Sequence, residues 1–174
     1  MEFIELVKNR YSERNFSNQE IKKEDLDKIL EVDRLVPTAC NYQPQRFYVI
    51  KSKEGFEKLK KARPAVYNAN VVILVCYDIN VVWKNPKDQM YDNYNAGEQD
   101  CSIAATSMMY EAAELGIHSL WIRGFDSKAV VDAFDLPNNI IPVMMLALGY
   151  PSKDSKPSDW HYKRNNIDSF VKEI

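Results

Sequence analysis

The sequence predicts one domain that mixes α-helices and β-strands, of either the α/β or the α+β class. Two observations support this prediction. Apolar residues recur at three- and four-residue steps in several segments, most clearly over residues 101–112, and this spacing is typical of amphipathic helices. Residues 70–77 and 142–148 are instead continuous apolar runs, as expected for buried central strands. A length of 174 residues suits a single domain, 1–174, with a sizeable hydrophobic core.

In the first half of the chain, the pattern predicts three helices and two strands. The first helix has its apolar stripe over residues 3–7 and ends near Asn9. The second has its stripe over residues 26–30 and stops before Pro37, because the residue before a proline resists the helical conformation. The remaining elements are a strand, a short helix and the first buried strand, over residues 46–50, 56–59 and 70–77.

The longest predicted helix has an apolar face of small and sulfur-containing side chains. Gly116 is well placed to end this helix, because glycine readily adopts the left-handed conformation of a helix C-terminus. A face so small and smooth suits close helix–helix packing, and we expect it to need a partner. The residues of this face are Cys101, Ala104, Ala105, Met108, Met109 and Ala112.

The rest of the chain predicts a strand over residues 119–122, a helix capped by Asp126, and the second buried strand over 142–148. From Ser152 onward the chain is polar until a short amphipathic end near residues 167–171. This tail has little hydrophobic mass of its own. We therefore expect it to lie against another surface.

Composition and charge exclude several classes of protein. The formal net charge is −2, so the basic excess typical of nucleic-acid-binding proteins is missing. The longest apolar run, residues 71–77, is far too short to cross a bilayer, and the first residues are acidic where a signal peptide is positive. The three cysteines have no paired spacing. We expect a cytoplasmic protein with reduced thiols and with neither a nucleic-acid nor a membrane partner.

Several common catalytic motifs are also missing from the sequence. There are five glycines, and no two of them form a phosphate-cradling loop, which excludes a Rossmann fingerprint and a P-loop. His118 and His161 stand apart, so no metal-ligand spacing is present, and each is most simply a surface or packing residue. No nucleophile elbow occurs, although a triad assembled from distant residues stays open. We assign no residue a catalytic role of its own.

The first candidate ligand-binding stretch is Arg10-Tyr11-Ser12-Glu13-Arg14. Two guanidinium groups bracket a serine hydroxyl, and this donor set matches the oxygens of a monophosphate. Taken alone, a solvated surface turn in which Glu13 pairs with a neighbour explains the stretch better.

Three further stretches are unusual. Residues 37–44 combine small residues, two side-chain amides and two prolines, which predicts a rigid loop able to lie against a planar ligand. Residues 121–125 follow a strand, and Gly124 permits the backbone to approach a ligand closely. Lys163 and Arg164 place two positive charges in the tail. Taken alone, residues 37–44 are better explained as an ordinary rigid connector. Residues 121–125 can be a strand end and a turn, and a basic pair in a tail is usually solvated.

In this order, the four stretches resemble the motifs of the nitroreductase family, the FMN-dependent NAD(P)H oxidoreductases. Residues 10–14 match its opening motif Arg-x-Ser-x-Arg/Lys, and residues 37–45 match Pro-Ser-x-x-Asn-x-Gln-Pro-Trp, with Gln45 in place of the tryptophan. The helix ending at Gly116 resembles the family's central dimer helix. The likeness continues through Trp121-Ile122-x-Gly124-Phe125, Leu148-Gly149-Tyr150-Pro151 and Arg164, and so covers nearly the whole chain.

The resemblance implies an α+β fold, with a mixed sheet flanked by helices, in an intertwined homodimer whose C-terminal tails are exchanged. It implies FMN as the cofactor and NADH or NADPH as a partner. Hydride would pass through flavin N5 to a small acceptor such as a nitroaromatic, a quinone or an enone. Dehalogenation or flavin fragmentation on the same scaffold stays open, and so does a flavin-binding or redox-sensing module with no dedicated substrate.

The resemblance also implies roles for individual residues. The FMN phosphate would be held near the first motif and by the tail, and Arg14 would reach the polar edge of the isoalloxazine ring. The loop at 37–41 of the partner subunit would contact the flavin, and residues 122–124 would offer backbone groups near N5. The expected cofactor-binding residues are Arg10, Tyr11, Ser12, Arg14, Pro37, Thr38, Ala39, Asn41, Ile122, Arg123, Gly124 and Arg164.

Two departures from the family pattern bear on the substrate. Arg123 sits where a small residue is common, and its charge would attract an anionic substrate or the phosphate of NADPH, or simply face solvent. The chain is also short for the family, which implies an open substrate site.

Overall fold

The computed structural model describes residues 2–88 and 93–174. In the described ranges five α-helices and four β-strands alternate irregularly along the chain. The helices are α1 (Phe3–Asn9), α2 (Lys23–Leu35), α3 (Lys53–Leu59), α4 (Gly97–Glu114) and α5 (Ser127–Phe134). The strands are β1 (Gln45–Ile50), β2 (Val71–Asp78), β3 (His118–Ile122) and β4 (Ile140–Gly149).

The predicted element types and positions are confirmed, and the predicted ends of the helices follow their sequence signals. The Asp126 side chain accepts a hydrogen bond from Ala129 N–H at 3.0 Å and so caps α5. Gly116 has a φ of +73° just after α4, a conformation that glycine adopts without strain. α2 ends at Leu35, two residues before Pro37.

The four strands form one sheet in the order β1-β2-β4-β3, and all three neighbouring pairs are antiparallel. Sequence reasoning predicted a mixed sheet. Within the described residues the one parallel contact is the single bridge between Ser12 and Ser119, so the sheet is mixed only through that bridge. β3 is an edge strand, and the segment containing Ser12 runs along its outer side.

The hydrophobic core lies on both faces of the sheet. α2 and α4 pack on one face, and α3 and α5 pack on the other. Because β2 and β4 are covered on both sides, their sequences are continuous apolar runs instead of alternating ones. Burial of this two-sided core is the main stabilising contribution to the fold.

The expectation that the small face of α4 needs a partner is wrong. Ala104, Ala105, Met108 and Ala112 are fully buried inside this chain. Small side chains on this face let the helix lie close to the sheet and to α2, and these elements of the same chain cover the face. The large apolar side chain that α4 does expose is Ile103, which is 39% exposed on the opposite side.

The tail beyond Ser152 is extended except for two single turns, Asp159–His161 and Ile167–Ser169. Its large apolar side chains are exposed: Trp160, Tyr162, Ile167, Phe170, Val171 and Ile174. Such a run of exposed apolar side chains is unusual on a lone monomer and favours contact with another surface. Homodimer formation and exchange of the tails stay predictions.

Candidate active site

The segment that follows α1 is fixed to the open edge of β3. Ser12 forms the bridge to Ser119, and the Glu13 N–H donates to the Ser119 carbonyl oxygen at 3.0 Å. Farther on, Ser17 N–H donates to the Tyr150 carbonyl oxygen at 2.8 Å. The motif at residues 10–14 is therefore held beside the sheet and is not a free solvated turn.

Across a cavity of about 160 Å³, the side chains of this segment face the C-terminal tail. Arg10, Ser12 and Arg14 line one side of it, and the tail brings Arg164 to the other. Four predicted cofactor-binding residues from opposite ends of the chain thus meet in one place. The rest of the lining consists of Tyr11, itself a predicted site residue, with Ser158, Trp160 and His161.

This anion pocket, as we call the cavity between residues 10–14 and Arg164, carries uncompensated positive charge. Three guanidinium groups line it, and no Asp or Glu side chain does. Arg164 Nη1 donates to two backbone carbonyl oxygens, of Trp160 at 2.9 Å and of Lys163 at 2.7 Å, which hold its side chain in place. Within residues 2–88 and 93–174, no carboxylate pairs with Arg10, Arg14 or Arg164.

A monophosphate fits this set of donors. Guanidinium groups bind phosphate oxygens through paired N–H donors, and the Ser12 hydroxyl adds one more. Like charges that converge without an anion repel one another, so the arrangement is stable with a negative ligand between them. The pocket can therefore hold the phosphate of a cofactor such as FMN.

Beside the anion pocket lies a buried carboxylate. Glu13 is 1% exposed, and its Oε1 accepts the backbone N–H groups of the next two residues at 3.0 and 2.8 Å. The Ser155 hydroxyl donates to both carboxylate oxygens at 2.6 Å, and His118 Nδ1 lies 3.0 Å from Oε2. Burial raises the pKa of Glu13, but the hydrogen bonds from Ser155, Asn15 and His118 outweigh it and leave that pKa below its ordinary value.

Tyr11 completes this buried cluster. Its hydroxyl donates to Ser155 Oγ at 3.0 Å, since the serine proton is used toward the carboxylate. Its ring packs edge-on against His118 at a centroid distance of 4.9 Å and against His161 at 6.1 Å. Burial raises the pKa of Tyr11. Sequence reasoning missed the cluster because His118 and Ser155 lie 105 and 142 positions from Glu13, and no local spacing links them.

The loop at residues 37–43 is rigid and strained. Cys40, Asn41 and Gln43 all have positive φ, at 48°, 58° and 49°, which costs energy in a residue with a side chain. Hydrogen bonds hold this conformation: Thr38 Oγ1 accepts from Gln43 N–H at 3.1 Å, and Gln43 Nε2 donates to Asn41 Oδ1 at 2.9 Å. The predicted rigid loop therefore exists.

Asp100, in the first turn of α4, ties this loop to the core. Its Oδ1 accepts the Ala39 N–H at 2.9 Å, and the side chain is almost completely buried. Burial raises the pKa of Asp100, and the Ala39 N–H opposes that rise. Sequence reasoning missed Asp100 because an acidic residue in the first turn of a helix is ordinary.

Within one chain, the loop and the anion pocket are far apart. The loop lies against the beginning of α4, whereas the anion pocket lies beyond its end, beside His118 and Ile117. A helix of 18 residues separates them, which is about 27 Å. The structure thus does not bring Pro37, Thr38, Ala39 or Asn41 to the pocket of the same chain.

The remaining predicted residues, Ile122, Arg123 and Gly124, lie at the far end of β3 from the anion pocket. Arg123 Nη1 donates to the Val143 carbonyl oxygen at 2.6 Å, and its Nη2 lies 3.4 Å from Glu98 Oε1, so its charge is already partly balanced. A Cβ added at Gly124 would meet only the end of Arg63, 3.8 Å away. The chain itself therefore leaves open space beside this glycine.

A model of the nitroreductase family matches residues 7–63 and 56–150. The chain belongs to the nitroreductase family. An archaeal relative from Archaeoglobus fulgidus, provisionally named NADH dehydrogenase/NAD(P)H nitroreductase, is 35% identical over 162 residues, covering 89% of this chain and 88% of its own. The resemblance inferred from the motifs is confirmed.

Solved structures of nitroreductase family members have the same fold. One from Clostridium difficile superposes with a TM-score of 0.90 at 40% identity, over 99% of this chain and 98% of its own. One from Exiguobacterium sibiricum, solved in complex with FMN, superposes with a TM-score of 0.82 at 26% identity, over 100% and 98%. The α+β class is thereby confirmed for this chain.

Two further features of the described residues concern membrane-spanning helices and metal-binding groups. No helix among the described residues is both long and apolar enough to cross a bilayer. No group of three His, Cys, Asp or Glu side chains in these residues is arranged to hold a metal ion.

Proposed function

We propose that the protein is a single-domain, homodimeric, FMN-dependent oxidoreductase that passes reducing equivalents from NAD(P)H to a small organic acceptor. The observation that carries the proposal is the anion pocket, where three guanidinium groups and a serine hydroxyl converge without a counter-charge. Membership of the nitroreductase family and the FMN complex of the Exiguobacterium relative support the choice of FMN. A relative from Bacillus subtilis, 24% identical over 88% of this chain and 68% of its own, is named FMN reductase [NAD(P)H].

In this proposal the pocket holds the phosphate end of the cofactor. Arg10, Ser12 and Arg164 bind the phosphate oxygens, and Arg14 extends from the same pocket toward the polar edge of the ring. Each charge-assisted hydrogen bond of this kind contributes roughly 1.5–3 kcal/mol to binding. When bound, FMN would supply the redox chemistry, the transfer of hydride between NAD(P)H and the acceptor.

The other end of β3 serves the ring. Residues 122–124 lie about 13 Å along the strand from Ser119, which is next to the pocket, and the open space beside Gly124 lets a planar group approach the backbone. Following the family pattern that residues 37–45 match, a second copy of the chain contributes Pro37, Thr38, Ala39 and Asn41. The same loop lies far from the anion pocket of its own chain. The exposed tails hold the two copies together.

The acceptor is a nitroaromatic, a quinone or an enone. A relative from Lactiplantibacillus plantarum, 22% identical over 88% of this chain and 87% of its own, is named CLA biosynthesis enone reductase, which supports including enones. Because hydride transfer needs no protein nucleophile, the protein contributes position and electrostatics, and no side chain acts as an essential acid or base.

One preparation tests the proposal. The purified protein, reconstituted with FMN, should be yellow, release FMN on denaturation, and oxidise NADH or NADPH steadily when a quinone is added. No FMN binding even in excess cofactor would refute the central claim. Binding with no turnover by either nicotinamide and any of the three acceptor classes would instead indicate a flavin-binding or redox-sensing module.

A further inference from the structure

The proposed function leaves one buried ionisable group without a role. Glu13 sits inside the motif that lines the anion pocket, yet its own side chain does not line it. A carboxylate that is 1% exposed is costly to bury unless donors surround it. Four donors do so here: two backbone N–H groups, the Ser155 hydroxyl and His118 Nδ1. The question is what this arrangement accomplishes beside a phosphate site.

The Ser155 contact is where the tail is last fastened to the domain. Upstream, the Ser152 N–H donates to the Asn15 carbonyl oxygen at 2.9 Å, and Pro151 bridges to Phe16. Downstream, the hydrogen bonds of the described tail stay within the tail itself, such as His161 N–H to Ser158 O and Arg164 to Trp160 O. Beyond Ser155, no tail hydrogen bond reaches the rest of the described chain.

Within its own chain, Arg164 therefore depends on this fastening for its position. It lies nine residues beyond Ser155, in an exposed segment that contacts the domain only through packing such as the His161 ring against Tyr11. A segment of that length, released at Ser155, gains many conformations in which Arg164 is away from the pocket. Fixing its root reduces the entropy lost when Arg164 closes on an anion.

We propose that Glu13 is a positioning residue that, through Ser155, fixes the root of the tail and so keeps Arg164 in the anion pocket. The inference rests on the proposed function, because it assigns Glu13 to the phosphate half of the flavin site. His118 and Tyr11 hold the carboxylate and the serine in register from the other side. Glu13 touches no ligand itself and acts through Arg164.

Comparing FMN with riboflavin separates this role from a general effect on folding, since riboflavin has the same ring and no phosphate. Ser155→Ala and Glu13→Gln should each weaken FMN binding by about tenfold and change riboflavin binding by less than about twofold. In the Arg164→Ala background the same substitutions should have little further effect, because the group they position is gone. Glu54→Gln, an exposed carboxylate on α3, is the matched control.

Four outcomes decide the matter. Unchanged FMN affinity in Ser155→Ala, equal losses for FMN and riboflavin, or full additivity with Arg164→Ala would each overturn the positioning role. If the wild-type protein binds FMN, any of these three results leaves the proposed function intact and removes only the positioning role of Glu13. A wild-type protein that binds no flavin would refute the proposed function and this role together.

A second measurement needs no flavin, and it does not use the Glu13→Gln variant, which can be less stable than the wild type. Trypsin cleavage after Lys163 and Arg164, both exposed, should be several-fold faster in Ser155→Ala than in the wild type. Equal cleavage rates would show that Ser155 does not restrain the tail and would overturn the inference independently of any ligand.

Discussion

The anion pocket and the loop at residues 37–43 are two halves of one proposed site, and they differ in how complete they are. The pocket is finished within a single chain: the first motif and the tail meet there although they lie at opposite ends of the sequence. The loop is equally well ordered, with three strained residues held by hydrogen bonds, but it lies at the other end of α4 from that pocket.

The difference follows from where each half is attached. Both walls of the anion pocket are fastened at the edge of β3, directly or through Glu13 and Ser155. The loop is fastened to the opposite end of α4 through Asp100. In the proposed function a single copy is expected to recognise the phosphate, and a second copy is expected to complete the recognition of the ring. Four experiments test this division.

Removing the tail from Ser152 onward should have the largest effect, because it eliminates Arg164, the Ser155 contact and the exposed apolar surface together. FMN affinity should fall by at least about 100-fold, and the dimer should dissociate in sedimentation experiments. Removing only residues 172–174 is the control and should change little. A stable, flavin-loaded monomer after the long truncation would show that the tail is not needed for FMN binding.

Arg10→Ala and Arg164→Ala should each weaken FMN binding by about tenfold or more, since each removes a charge-assisted contact to phosphate. Riboflavin affinity should stay close to that of the wild type in fluorescence titrations. Lys172→Ala, a distant exposed charge, is the matched control. Equal losses of FMN affinity in the Arg10, Arg164 and Lys172 variants would indicate a general electrostatic effect. The anion pocket would then have no specific role in binding the phosphate.

Asp100→Ala tests the other half. Without the acceptor for the Ala39 N–H, the loop should lose its fixed position, and affinities for FMN and riboflavin should fall together by about three- to tenfold. Asp100→Asn keeps an oxygen acceptor and should restore most of the affinity. If Asp100→Ala lowered the affinity for FMN and not for riboflavin, the loop would act on the phosphate and not on the ring.

Acid unfolding gives the smallest effect. Because the folded-state pKa of Glu13 is lowered, its contribution to stability is present above the ordinary glutamate pKa of about 4.3 and is lost as the pH falls through the lowered value. The free energy of unfolding of the wild type should therefore decline more steeply below about pH 4.3 than that of Glu13→Gln. Parallel denaturant titrations, with Glu54→Gln as the reference, measure this; identical slopes would contradict it.

Local sequence signals sufficed for the helices and strands, because periodicity and caps act over a few residues. The spacing along α4 predicted the helix and its end near Gly116. The same spacing could not say what covers the small side chains of Ala104 and Ala105, and the structure shows that they are buried within their own chain. A buried face has one appearance in sequence whether its cover comes from the same chain or another.

The candidate site likewise has residues that the sequence predicts and residues that only the structure reveals. Arg10, Ser12, Arg14 and Arg164 were found because family motifs mark them, and the structure places them around one cavity. Glu13 was interpreted as part of a solvated turn, paired with a neighbour, since His118 and Ser155 lie more than 100 positions from it and leave no pattern. Only the fold reveals that such a group is buried and what holds it there.

The strained loop also determines the thiol chemistry of the molecule. Cys76 and Cys101 are fully buried, and burial raises the pKa of Cys76 to about 12, so neither forms a thiolate near neutral pH. Cys40 is exposed at the tip of the loop. In the folded protein an electrophile therefore meets one accessible sulfur among the three. A dye placed there without any mutation would report from the segment on which a second copy is expected to close.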